Sequence, residues 1–124
     1  MILGIGTDIV EISRIQSAMA KSERFAQRIL CPEELIEMHT CNNASRFVAK
    51  RFAAKEAVLK AFGTGIGNGM SWHMVHIKHD ALGKPTVHTS GLLHEKLSEL
   101  GMRSCHLSIS DEVMYATAFA VIEI

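Results

Sequence analysis

Cysteine is scarce in this chain and never closely spaced. Cys31, Cys41 and Cys105 are odd in number and form no CxxC pair, which argues against a disulfide framework or a structural zinc site and leaves ordinary reduced thiols. An excess of either charge is also missing. Thirteen basic and 13 acidic residues give a net charge of +0, so neither a strongly basic nucleic-acid binder nor an acidic solvating chain is indicated. Aromatics are few, five Phe, one Trp and one Tyr, with no evident platform for stacking bases. The longest apolar run, near Met114 to Ile122, is too short to cross a bilayer, and no basic segment precedes a long apolar core at the N-terminus. The expectation is a cytoplasmic protein with no nucleic acid and no membrane among its partners.

What is present suits one small domain, residues 1–124. Apolar residues make up 48% of the chain, enough for a core, although a chain of this size buries only about two-thirds of its surface and gains from oligomerisation. The most informative stretch is Arg51-Phe-Ala-Ala-Lys-Glu-Ala-Val-Leu-Lys-Ala-Phe62, followed by Gly63-Thr-Gly-Ile-Gly-Asn-Gly69. Strong helix formers without Gly or Pro predict a helix from roughly Ser45 to Phe62, capped by a left-handed glycine. At 100° per residue Glu56 and Lys60 share one face, flanked by Phe52 and Leu59, with no wide polar arc anywhere on the helix. A surface ion pair is the plain reading of such a couple. Apolar neighbours on both sides favour a carboxylate with a partner or a task. Between Arg46 and Lys60, five basic residues (Arg46, Lys50, Arg51, Lys55, Lys60) stand against Glu56 alone, a local field suited to phosphates.

Elsewhere, Ile2 to Val10 reads as a buried strand whose one charge, Asp8, serves equally as a turn or cap residue on local grounds. Helices are expected over Glu11–Lys21, Glu23–Leu30 and from Pro32 to about His39, and Arg14, Lys21, Arg24 and Arg28 form a basic platform or simply solvate a surface. The alternating glycines 63, 65, 67 and 69 permit close backbone approach to a ligand or merely make a loop. Strands follow over Trp72–His79 and Thr86–Thr89, joined by the turn Asp80-Ala-Leu-Gly-Lys-Pro85. His73, His76 and His79 imitate a metal cluster, but on a strand His76 faces away from the other two. A helix around Leu92 to Leu100 and strands over Cys105–Ser110 and Met114–Ile122 complete an α+β fold, with a small antiparallel sheet packed against the long central helix and shorter helices.

Taken together, Gly4-Ile-Gly-Thr-Asp8-Ile-Val10, Arg51 to Gly67 and Gly83-Lys-Pro85 resemble the holo-[acyl-carrier-protein] synthase family of 4'-phosphopantetheinyl transferases, in its short bacterial form, from the first residue to the final strand. The resemblance implies Mg²⁺-dependent (or Mn²⁺-dependent) transfer of 4'-phosphopantetheine from coenzyme A to a serine of apo acyl carrier protein, releasing adenosine 3',5'-bisphosphate in support of fatty acid biosynthesis. It implies metal-binding carboxylates at Asp8 and Glu56, with Lys60 beside the diphosphate, and a homotrimer with active sites between protomers. It also implies coenzyme A contacts from Arg51, Lys60, Gly63, Gly65, Lys84 and Pro85, and carrier-protein docking by Arg14, extended by Arg24 and Arg28. Chemistry of this kind needs hard oxygen ligands, cations to absorb charge and an acceptor for the hydroxyl proton, and Glu56 is the candidate acceptor. One departure stands out: many relatives place a histidine after Ser-Ile-Ser, where this chain has Asp111, which orients water or a basic neighbour or simply turns the chain. Two rival readings are a non-catalytic coenzyme A or nucleotide binder, which gains nothing from two added carboxylates, and a small nucleic-acid binder.

Overall fold

A computed structural model describes residues 1–124. The strand β1 (Ile2–Glu11) leads directly into helix α1 (Ile12–Lys21), followed by α2 (Arg24–Ile29), α3 (Pro32–Thr40) and the 19-residue α4 (Ala44–Phe62). A 3-10 turn (Trp72–Met74) then opens the strand β2 (Val75–His79), which precedes β3 (Pro85–Thr89), α5 (Gly91–Glu99), β4 (Ser104–Asp111) and β5 (Tyr115–Glu123). The α+β class and the central helix are as expected. The strands, however, divide into two antiparallel sheets, one of order β1-β5-β4 and a separate β2-β3 hairpin.

Helix α4 begins where Asn43 Oδ1 accepts the Arg46 amide at 3.1 Å and ends where Gly63 takes φ 113°, with its N–H donating to Leu59 O at 2.9 Å. Both ends are thus satisfied by the chain itself. Ala53, Ala54, Ala57, Val58, Leu59 and Ala61 of α4 are buried against Ala118, Ala120 and Ile122 of β5 and against Val75, Ile77, Leu93 and Leu97. A second core joins Val48 and Ala49 to Ile12, Ile15, Ala26, Ile29 and Leu30. Residues alternate along β5, with Ala116, Ala118 and Ala120 inward and Tyr115, Thr117 and Phe119 outward, as one covered face requires.

β1 differs from the buried strand anticipated. It is an edge strand, and Ile2, Ile5 and Ile9 are 61%, 60% and 67% exposed. Ile2, Ile5 and Ile9 lie outward and Val10 packs inward against both cores, while Gly4 and Gly6 face α4. A Cβ at Gly4 would collide with the Ala61 carbonyl, and one at Gly6 with the Ala57 carbonyl. Only glycine lets strand and helix backbones lie this close, so the two glycines set the depth of the seam. Asp8 follows on that same face, two residues beyond Gly6.

Candidate active site

Asp8 stands at the strand–helix seam with its side chain 15% exposed. The alternation of β1 aims it at α4, and β5 fixes its backbone, Thr117 Oγ1 donating to Asp8 O at 2.8 Å. Lys60, projecting from the last turn of α4, donates to Asp8 Oδ1 and to Thr7 O, both at 3.0 Å. The second oxygen, Asp8 Oδ2, is buried and has no hydrogen-bond partner in the chain. A desolvated carboxylate oxygen without a donor is costly, and it suits a small divalent cation that prefers hard oxygens. Glu56 lies one helical turn before Lys60. Its Oε1 accepts a hydrogen bond from Trp72 Nε1 at 3.1 Å, and it enters no ion pair. The structure therefore joins Asp8 to Lys60 directly, with Glu56 one turn before Lys60 on α4 and bonded to Trp72. No cluster of three or more His, Cys, Asp or Glu side chains that could hold a metal forms anywhere, so the chain offers two carboxylates rather than a complete cage.

The glycine loop takes up its backbone with positive φ at Gly63, Gly65, Gly67 and Gly69. The positions of Gly63 and Gly65 have open space where a side chain would be, leaving their backbone accessible. Lys84 and Pro85 sit at the tip of the β2–β3 hairpin, where Asp80 Oδ1 accepts from the amides of Leu82 and Lys84, both at 2.9 Å. Arg14, Arg24 and Arg28 are exposed on α1 and α2 and make no salt bridge. The four main cavities, of about 260 to 440 Å³, are not lined by Asp8, Glu56 or Lys60. The candidate site is an open seam, not an enclosed hole.

The basic run Arg46–Lys60 is not the free field its charges suggest, because most of them already have acids. Glu34, 0% exposed, accepts from Lys55 Nζ at 2.6 Å and the Cys31 amide at 2.8 Å on one oxygen, and from Arg51 and the Ile77 amide at 3.2 Å each on the other. Lys55 also donates to Ile29 O at 2.7 Å and to Trp72 O at 3.3 Å. Arg51, 4% exposed, further bonds Ile77 O and Glu37, stands 3.4 Å from His79 Nδ1 and lies over the Phe47 ring. Its guanidinium is engaged inside the fold, and it reaches the surface only along the edge of a cavity of about 350 Å³. Burial alone would push the Glu34 carboxyl up, but the Lys55 charge and hydrogen bonds from Lys55 and two amides hold it below its ordinary value. Burial and the neighbouring Arg51 charge lower His79. Arg46 and Lys50 pair with Asp111 at 2.8 and 3.6 Å, which makes Asp111 the partner of two basic neighbours.

His73, His76 and His79 contact different groups, Gln27 O at 2.7 Å, Glu33 at 3.8 Å and Arg51, so no metal cluster arises. Trp72–Met74 forms a 3-10 turn where a strand was expected, and this turn brings the indole to Glu56. The sequence signal for that contact was weak: a single Trp just after a glycine-rich loop. Glu34 stands in the first turn of α3, and its capping-box bond to the Cys31 amide is only one of its four.

Comparison with known proteins bears on the family and the fold. The model for ACPS, the 4'-phosphopantetheinyl transferase superfamily, matches residues 4–118. A holo-[acyl-carrier-protein] synthase of Vibrio cholerae is 52% identical over 124 residues, covering 99% of this chain and 98% of the relative. The crystal structure of holo-[acyl-carrier-protein] synthase from Neisseria meningitidis superposes with a TM-score of 0.94 at 47% identity, covering 100% of both chains. A holo-(acyl-carrier-protein) synthase from Bacillus anthracis, in complex with CoA (3',5'-ADP), superposes with a TM-score of 0.84 at 39% identity, covering 99% of this chain and 97% of that one.

Proposed function

The chain belongs to the 4'-phosphopantetheinyl transferase superfamily, and from that premise we propose that it transfers 4'-phosphopantetheine from coenzyme A to a serine hydroxyl of apo acyl carrier protein. The finer reading is a Mg²⁺-dependent reaction that releases adenosine 3',5'-bisphosphate and supplies holo carrier protein for fatty acid biosynthesis. The single observation that carries it is the Asp8 carboxylate, one oxygen held by Lys60 and the other buried without a donor.

Asp8 and Glu56 would hold Mg²⁺, or Mn²⁺ in its place. That ion supplies Lewis-acid polarisation and charge neutralisation at the diphosphate. The residues do the rest. Lys60, already aimed at the seam, stabilises charge on the transferring phosphate, and the exposed backbone of Gly63 and Gly65 admits the substrate's phosphates closely. Glu56 accepts the serine proton, directly or through water, as the hydroxyl oxygen attacks. Lys84 and Pro85 contribute to the coenzyme A surface, with Arg51 shaping the cavity wall from within. Arg14, Arg24 and Arg28, exposed and free of internal acids, offer an acidic carrier protein an electrostatic landing surface.

The outer face of the three-stranded sheet supports assembly. Ile5, Ile9, Tyr115 and Phe119 are between 40% and 67% exposed there, an apolar face that a homotrimer with sites between protomers would cover. We read residues 1–124 as one catalytic domain working in the cytoplasm. Three free cysteines accord with that compartment, and no helix is long and apolar enough to cross a membrane.

The test is to mix the protein with apo carrier protein, coenzyme A and Mg²⁺ and to follow carrier-protein mass. A pantetheinyl increase is expected with the native chain, and Glu56→Gln should cut its rate by about 10²-fold or more. Unchanged turnover and Mg²⁺ dependence in Glu56→Gln would remove Glu56 from the mechanism.

A further inference from the structure

Glu56 is held by a neighbour from outside α4. Trp72, the one tryptophan of the chain, donates its indole N–H to Glu56 Oε1 at 3.1 Å. The ring is braced by Phe52, centroids 6.0 Å apart and planes tilted by 41°, and it packs against both hydrophobic cores. Its backbone is pinned too, because the buried Lys55 donates to Trp72 O at 3.3 Å. Lys55 and Glu56 are consecutive on α4, so neighbouring residues of one helix grip the backbone and the side chain of the same tryptophan.

The choice of donor matters chemically. A flexible, partly exposed Glu samples several rotamers and loses them when it binds a cation. A Lys or Arg placed beside it would fix one rotamer but would also neutralise it and compete with a metal. An indole N–H is a neutral, donor-only group on a rigid ring. It can immobilise one carboxylate oxygen while leaving the negative charge for another partner. Asp8 gains the same asymmetry by other means, with Lys60 on Oδ1 and nothing in the chain on Oδ2.

We propose that Trp72 is a positioning residue for Glu56: its indole N–H fixes Oε1 and so presents Oε2 to the divalent cation and the substrate proton. This rests on the assignment of Glu56 made above and adds to it the residue that orients the carboxylate. The chain's own partners of Glu56 thereby become part of cation binding.

Trp72→Phe keeps an aromatic ring against Phe52 and removes only the N–H. Loss of a hydrogen bond that orients a metal-binding carboxylate typically costs ten- to a hundredfold in metal affinity or activity. The expected result is a variant with near-native melting, Mn²⁺ affinity weakened by about tenfold or more by titration, kcat reduced to a similar degree, and KM for carrier protein unchanged. Native Mn²⁺ affinity and kcat in folded Trp72→Phe would overturn the proposal, as would a change confined to carrier-protein KM. Should the variant fail to fold, the native protein decides. Its single indole N–H resonance should shift on Glu56→Gln and respond saturably to Mg²⁺ in the presence of coenzyme A, and a resonance indifferent to both overturns the proposal. The two readings separate cleanly: a silent Glu56→Gln removes the assignment of Glu56, whereas a damaging Glu56→Gln with a silent Trp72→Phe removes only the role of Trp72.

Discussion

Helix α4 carries two groups of charges that look alike in sequence and differ in physical state. Arg51 and Lys55 surround Glu34, which receives four donors and is fully withdrawn from solvent. One turn further on, Lys60 meets an Asp8 whose inner oxygen is left without a donor, and Glu56 has only an indole for company. In the first cluster each charge is compensated, so it ties α3, α4 and β2 together and has no valence left for a ligand. In the second the compensation is incomplete, because Asp8 Oδ2 is buried without a donor. Incomplete compensation at a half-exposed seam, rather than charge as such, is what marks the candidate site.

If this distinction holds, Glu34→Gln should do the most harm to the fold. It leaves Lys55 and Arg51 buried against a neutral amide, and removing one partner of a buried pair costs about 3–5 kcal/mol. Chemical denaturation should show that loss, while specific activity of the remaining folded protein stays near native. The same cluster sets an acid limb. Because the folded carboxyl lies below its ordinary value of 4.5, the unfolded chain binds more protons in that interval. The stabilisation is present above the ordinary value and is lost as pH falls through the lowered one. Glu34→Gln should flatten that limb, and an unchanged pH–stability curve would show that the cluster does not carry it.

Gly6→Ala probes the junction between the two regions. A methyl at this position enters the Ala57 carbonyl, so β1 must lift from α4 at a cost of about 1–3 kcal/mol. Here turnover should fall by more than the stability loss explains, because lifting β1 carries Asp8 away from Lys60, now 3.0 Å distant. Thermal melting and kcat measured on one preparation check this. A stability loss with native kcat would mean that the depth of the seam does not position the site.

Much of this was legible in the chain. The α4 helix and its glycine stop follow from helix formers and caps, and Glu56 is marked out by its apolar company, whereas Asp8 is singled out only by the family resemblance. What escaped depends on which elements become neighbours. Glu34 lies 17 and 21 residues from its cations, and nothing local distinguishes it from Glu33, which is 69% exposed in its side chain. The β-branched residues of β1 suggested burial on both faces. Strand order, which puts β1 at an edge, and the glycines that turn its other face to α4 are tertiary facts. Aromatic and β-branched residues from Trp72 to His79 predict a strand throughout, whereas the chain tightens into a 3-10 turn before the ladder begins.

The smallest effect should come from Asp111→Asn, which tests the distinction from its weak end. Asp111 also faces two cations of α4, Arg46 at 2.8 Å and Lys50 at 3.6 Å, yet the three side chains are 24%, 36% and 39% exposed. Water screens such pairs, and holding long side chains in one geometry costs entropy, so they contribute about 0–1 kcal/mol. Number and sign of the cationic partners resemble those of Glu34, but Asp111 is exposed and lacks the two amide donors that Glu34 has. Asp111→Asn should therefore lower stability by less than about 1 kcal/mol, with the deficit shrinking as salt is raised. A loss comparable to that of Glu34→Gln would mean that charge count rather than desolvation governs both clusters, and the argument separating the scaffold charges from the site charges would lose its basis.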